Sequence, residues 1–161
     1  MSLRDTFGLR SCFNTVLRMW NPSGARATVQ GVFHPSYRSL QAQAAAMLGQ
    51  KDLSIIKGGG GEFERHPSKD SAEFGLRDGA HILETAAKIS QDTRKLHEAG
   101  VTIDLVDLWQ GRTHDPFSIA AITGTAALAL WTLRAVPSPH KAHQMAQGIW
   151  ASRHHTECLS A

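Results

Sequence analysis

The feature that most constrains this chain is a short β-branched run that ends in four glycines. Asp52 to Lys57, Asp-Leu-Ser-Ile-Ile-Lys, leads directly into Gly58-Gly59-Gly60-Gly61. Residues 26–33 form another strand-like run before it, and His34-Pro35-Ser36 then opens a helical stretch carrying Leu40, Ala44, Met47 and Leu48 as far as Gly49. Strand, helix and strand in this order predict a parallel pair with a right-handed crossover. In such a unit ligands bind at the carboxyl ends of the strands, where the glycine run lies.

The rest of the chain extends an α/β reading. Phe13, Val16 and Leu17 share one face of a helix that Asn21-Pro22-Ser23-Gly24 terminates. Ile82, Ala86, Ile89, Thr93 and Leu96 have helical spacing closed by Gly100, and Val101 to Trp109 alternates like a strand. Asp115 as N-cap and Pro116 at the first helical position open a helix to Leu133, and His140 to Ser152 forms another. The expected fold is a partial, mainly parallel sheet with flanking helices and a helical carboxyl terminus. Residues 153–161 are expected to be a disordered tail.

Pro116 to Leu133 contains no charged residue, but its serine, threonines and glycine dilute its hydrophobicity, so a buried helix is expected rather than a membrane span. The amino terminus carries Arg4, Asp5 and Arg10 where a secretory signal needs an apolar segment. Two thiols, Cys12 and Cys158, form neither a disulfide framework nor a zinc ribbon. A cytoplasmic protein is the expectation.

Charge is unevenly distributed. Residues 1–51 hold Arg4, Arg10, Arg18, Arg26, Arg38 and Lys51 against Asp5 alone. A positive front third favours an anionic partner. Glycines after a strand let backbone N–H groups close on an anion, so Lys57, Gly58, Gly59, Gly60 and Gly61 are the candidate phosphate ligands. The loop is not a Walker A motif, because its lysine precedes the glycines. Glu62 and Glu64 point the same way on an extended segment and are the candidate Mg²⁺ ligands, with a solvated acidic loop as the alternative. His140-x-x-His143 and His154-His155 do not complete a metal set, and no nucleophile elbow is present.

Phe7-Gly8-Leu9-Arg10-Ser11-Cys12-Phe13-Asn14, then Asn21-Pro22 and Gly31-Val32-Phe33-His34-Pro35, resembles the L-G-I-R-T-x-F-N…N-P…G-V-x-H-P pattern of glycosyltransferase family 3. That family includes anthranilate phosphoribosyltransferase and the pyrimidine nucleoside phosphorylases. The segment with Gly58 to Glu64 falls where the family has V-x-H-G-x-x-G-x-D-E, and Pro116 to Ser152 resembles its closing helical pair.

The resemblance implies transfer of a phosphoribosyl group from phosphoribosyl diphosphate, or another phosphorylated sugar, to a small aromatic amine with Mg²⁺. Arg4 matches by position the arginine that helps bind the acceptor carboxylate, and Glu64 matches the second acid of the metal pair. Phe63 stands where the family has the first of those acids, and Lys57 where it has His. The resemblance places residues 1–152 in the carboxyl-terminal half of the family domain. The donor loop G-T-G-G-D and the helices that usually make the homodimer belong to the other half, so a chain inactive by itself is expected. The Gly-x-x-Gly-Glu variant resembles an anthranilate-phosphoribosyltransferase-like branch that binds nucleic acid. In that alternative Arg10, Arg18, Arg26, Arg38 and Lys57 contact phosphates.

Overall fold

The computed structural model describes residues 12–58, 63–95 and 103–153. Helix α1 (Cys12–Met19) leads through an Asn21 turn, whose side chain accepts from the Ala25 N–H at 2.9 Å, into strand β1 (Ala27–Val32). Helix α2 (Tyr37–Met47) crosses back to β2 (Asp52–Lys57). Gly49 leaves the helix at φ +76°, a conformation that favours glycine. β1 and β2 pair in parallel from Ala27↔Asp52 to Val32↔Lys57, as the strand–helix–strand order predicts.

Strands β3 (Ser71–Arg77) and β4 (Ala80–Ala86) complete a four-stranded sheet in the order β1-β2-β3-β4. Both additions are antiparallel, so the sheet is mixed, with parallel pairing confined to β1 and β2. The α/β class and the flanking helices are as expected. The helix expected from Ile82 to Leu96 is not formed over its described part. Ile82 and Ala86 lie in β4, and residues 87–95 are neither helix nor strand. The cause is the Asp78-Gly79 turn, with φ +53° and +83°, which folds Arg77 back onto Ala80 as a two-residue hairpin. The turn is also tied to the start of β2, where Gly79 N–H donates to the Lys51 carbonyl and Asp78 N–H to Asp52 Oδ1.

The strand expected over Val101–Trp109 is replaced, in its described part, by a short helix, α3 (Leu105–Trp109). Asp104 caps it by accepting from the N–H groups of Val106 and Asp107 at 2.8 and 3.1 Å. Helices α4 (Pro116–Thr132) and α5 (Pro139–Ala151) form as the sequence predicts. Asp115 accepts from Ser118 N–H at 2.9 Å and Ser138 from Lys141 N–H at 3.2 Å, each before a proline at the start of its helix.

The helices cover opposite sheet faces. α2 packs on β2 and β3, where Ala42 and Ala45 meet Val32, Leu53, Ile55 and Leu76. α4 packs on β1 and β2 and is backed by α5 through Ala127, Ala142 and Ala146. Small residues at that seam bring the two helices close. The interior layer under α4 is polar. Arg77 donates to the Leu53 carbonyl and to Ser54 Oγ, both at 2.9 Å, and lies 3.8 Å from Glu73 and 3.9 Å from Glu84. Trp131 Nε1 donates to Glu84 at 2.9 Å. Burial pushes the Glu73 carboxyl up despite the nearby Arg65 and Arg77 cations.

No helix among the described residues is long and apolar enough to cross a membrane.

Candidate functional site

The site is built where the parallel pair ends. Gly58 N–H donates to the Val32 carbonyl at 3.2 Å, so β-type pairing runs one residue past β2 and brings Gly58 to the carboxyl end of the sheet. The His34-Pro35-Ser36 turn opens α2 at the same end, putting two strand-to-loop exits side by side. Beyond the glycines, Arg65 N–H donates to Thr125 Oγ1 at 3.0 Å, which fastens the returning segment to the middle of α4. The Arg65 guanidinium is buried and donates to the Ala87 carbonyl.

This fastening leaves a groove of about 640 Å³ between Phe63–Glu64, Arg94–Lys95, Leu105 and the amino-terminal half of α4. Phe63, Leu105, Phe117 and Ile122 make it predominantly apolar. Arg94 sits 4.5 Å over the Phe117 ring and donates to Asp115 Oδ2. That hydrogen bond holds the Asp115 carboxyl at about 2, well below its usual range. His66 meets the other side of Phe117 edge-on, with ring centroids 5.7 Å apart, and its Nδ1 accepts from Ser68 N–H. Partial burial and the Lys69 charge push its pKa down, keeping the imidazole neutral near pH 7. Such a groove offers a flat apolar bed to a planar ring and an Arg94–Lys95 rim to an anionic substituent.

Of the residues expected at the site, Glu64 lines the groove. Lys57 does not. Side chains alternate along β2, so Lys57 shares the α2 face with Leu53 and Ile55, whereas the groove lies on the α4 side. Gly58 is buried beside Val32. Gly59, Gly60, Gly61, Glu62, Arg4 and Arg10 lie outside the described residues. Arg94, Phe117, His66 and Thr125 were not singled out in the sequence, where only the Asp115-Pro116 helix start pointed towards this region.

The cations of the nucleic-acid alternative have separate attachments. Arg18 donates to the Gly31 carbonyl at 3.4 Å. Arg38 donates to the carbonyls of Pro35 and Ala72 and lies 4.3 Å over the Phe74 ring. Arg26 sits at the amino end of β1, 3.9 Å from Asp52 and about 20 Å along the strand direction from Lys57. Arg18, Arg38 and Lys57 thus attach near the carboxyl end of the β1–β2 pair, with Arg26 at its amino end.

Mg²⁺ finds no cage among the described residues. Among the described residues Glu64 is the one carboxylate lining the groove, beside two cations, and no group of three or more His, Cys, Asp or Glu side chains there is placed to hold a metal; Glu62, the other expected ligand, lies outside the described residues.

No protein-family profile matches the sequence. Anthranilate phosphoribosyltransferase of Chromobacterium violaceum is 34% identical over 82 residues, which are 51% of this chain and 24% of that enzyme. About half of the chain is thus similar to a stretch of anthranilate phosphoribosyltransferase. The enzyme of the same name from Methylibium petroleiphilum is 31% identical over 77 residues, 48% of this chain and 22% of its own length. An uncharacterised protein of Aquifex aeolicus is 38% identical over 69 residues, 43% of this chain and 22% of that protein. The matches thus span less than a quarter of these relatives.

Proposed function

We propose that the chain supplies part of a glycosyltransferase family 3-type phosphoribosyl-transfer site, taking its phosphorylated sugar at the carboxyl end of β1 and β2. The observation that supports this reading is the Gly58 N–H to Val32 carbonyl bond, by which β2 leaves the carboxyl end of a parallel pair on its first glycine. Lys57 on the α2 side and the groove on the α4 side flank that end of β2. A ligand lying across the glycine run therefore meets a cation for its phosphate at one side and an apolar bed for an aromatic acceptor at the other. In the transfer, the bond from the sugar carbon to the diphosphate breaks and a bond to the acceptor amine forms. The role of this chain's residues is to position both partners and screen the phosphate charge.

The test is a titration of the purified chain with phosphoribosyl diphosphate, with and without Mg²⁺, and separately with single-stranded DNA at two salt concentrations. Saturable sugar-diphosphate binding, weakened about fivefold or more in Lys57→Ala, supports the reading. Absence of that binding overturns it. DNA binding that falls steeply with salt, with no donor binding, moves the assignment to the nucleic-acid alternative.

A further inference from the structure

Helix α2 is mounted with its larger apolar side chains outward. It buries Gln41, Ala42 and Ala45 against the sheet, while Leu40, Met47 and Leu48 are 55%, 89% and 77% exposed. Helix α1 does the same on its described face, with Val16 60% and the following Trp20 66% exposed. Val16 and Trp20 are four residues apart, as are Leu40, Ala44 and Leu48, so each helix presents a stripe one turn in spacing. Single exposed apolar residues are ordinary on a protein surface. Two stripes bordering one cleft are a different feature, and between them lies a cleft of about 940 Å³, walled by Val16, Met19 and Trp20 on one side and Ala44 and Leu48 on the other.

The cleft is at the amino ends of β1 and β2, the opposite end of the sheet from the glycine run. Its rim is cationic. Arg26, Lys51 and Arg134 line it against two acids, Asp52 and Asp78, which pair with Arg26 and Arg134 and leave Lys51 as the surplus cation. Asp52 is 1% exposed, accepts from Asp78 N–H at 3.1 Å, and lies 3.2 Å from the Arg134 guanidinium. Asp78 lies 3.7 Å from the same guanidinium. Lys51 is exposed on the rim. Of the cations concentrated in the first third of the sequence, Arg26 and Lys51 stand at this apolar cleft.

We infer that the α1–α2 cleft docks an amphipathic helix of a partner protein, with apolar residues repeating every three to four positions and acidic residues along its flanks. The apolar stripes supply the bed, as in helix-in-groove recognition, and Lys51 selects for acid on the incoming helix. The cleft and the carboxyl-end groove are separated by the length of the strands, so this inference stands independently of the proposed transfer site.

The experiment uses the whole chain and a fluorescein-labelled 18-residue peptide with leucine at helical spacing and glutamate elsewhere, against a control peptide with lysine for every glutamate. Fluorescence anisotropy should show saturable binding of the glutamate peptide, with tryptophan emission moving to shorter wavelength, and that movement should vanish in Trp20→Phe. Trp20→Ala should weaken binding about thirtyfold as a central anchor, and Lys51→Glu about fivefold, mainly through slower association. Leu83→Ala, an equally exposed change on β4, should leave binding unaltered. Circular dichroism confirms that each variant is folded. Equal binding of both peptides, or none, overturns the inference. So does sedimentation showing that the chain self-associates through this cleft and that Trp20→Ala abolishes the self-association, since the occupant is then a second copy.

Discussion

Ser54 on β2 and Thr132 in the last turn of α4 join their hydroxyls at 2.7 Å with neither residue exposed, although 78 positions separate them in the chain. Arg77 donates to the same Ser54 oxygen, and Thr132 donates back to the Leu128 carbonyl. The sheet and its covering helix are therefore registered by a polar contact inside the core. The Thr132→Val variant keeps the shape and removes the hydroxyl, so Ser54 still accepts from Arg77 but loses the acceptor for its own O–H. A loss of about 1 kcal/mol in urea unfolding is expected, well short of what an orphaned buried charge costs.

Arg77 and Glu73 should behave as a unit. Replacing Arg77 by Met leaves the buried Glu73 carboxylate with Arg65 as its remaining nearby cation and should cost about 3 kcal/mol at pH 7. The Glu73 pKa is already raised, so its charged form is the one that burdens the fold, and the burden grows as pH rises through the folded pKa. The Arg77→Met defect should accordingly shrink towards pH 4, and Glu73→Gln in the same chain should recover part of it at pH 7. Equal defects at both pH values would refute the coupling.

The Arg94–Asp115 contact gives the opposite pH sense. A carboxyl held at about 2 rather than 3.8 contributes on the order of 1–2 kcal/mol above its unfolded pKa, a contribution lost as pH falls from about 4 towards 2. Asp115→Asn retains an N-cap acceptor for α4 and removes the charge. Its stability gap from the parent chain should therefore be full at pH 6 and closed near pH 2, measured by urea unfolding across that range.

Gly75 marks the tightest backbone approach in the sheet. A Cβ there would stand 1.8 Å from the Leu53 carbonyl oxygen, an atom that β2 cannot move without breaking its pairing with β3. Gly75→Ala should cost about 3 kcal/mol or more and lower the yield of folded chain. Gly79→Ala, in open space but at φ +83°, should cost about 1 kcal/mol through strain alone. Thermal unfolding of the two variants side by side separates the steric cost from the conformational one.

The two sides of the proposed transfer site can be separated in the same way. Ile122 is 38% exposed in the groove wall, and Ile122→Trp fills the apolar bed. Binding of an aminobenzoate, followed by equilibrium dialysis, should fall at least about tenfold, while phosphoribosyl diphosphate binding stays within about twofold of the parent chain. Loss of both together would place the two ligands on the same side of β2.

The strand–helix–strand core, the Gly49 stop, and the two closing helices, the first with its Asp115 start, were all legible in the sequence, because turn residues and caps act over a few neighbouring positions. The β3–β4 hairpin was legible in principle from Asp78-Gly79, but Ile82, Ala86 and Ile89 also satisfy a helical spacing, and periodicity alone does not choose between them. Tertiary pairing of β3 with β2 makes that choice. Glycines after a strand and the paired acids identified the carboxyl end of β2 as a place to look, whereas the meeting of Phe63, Arg94 and Phe117 required the chain to fold back on α4.

What the amino-acid sequence determined by itself was local: which segments are extended or helical, where they stop, and where cationic charge accumulates. What only the tertiary structure decided was which face each segment turns to its neighbours. Lys57 and Glu64 are seven positions apart in sequence, yet the alternation of β2 directs Lys57 to the α2 side while the Thr125 contact seats the Glu64 segment against α4. Likewise α2 buries its alanines and leaves Leu40, Met47 and Leu48 outside. Close approach to the flat sheet needs small side chains beneath the helix, a demand set by the separation of the two surfaces and absent from the helix's own pattern.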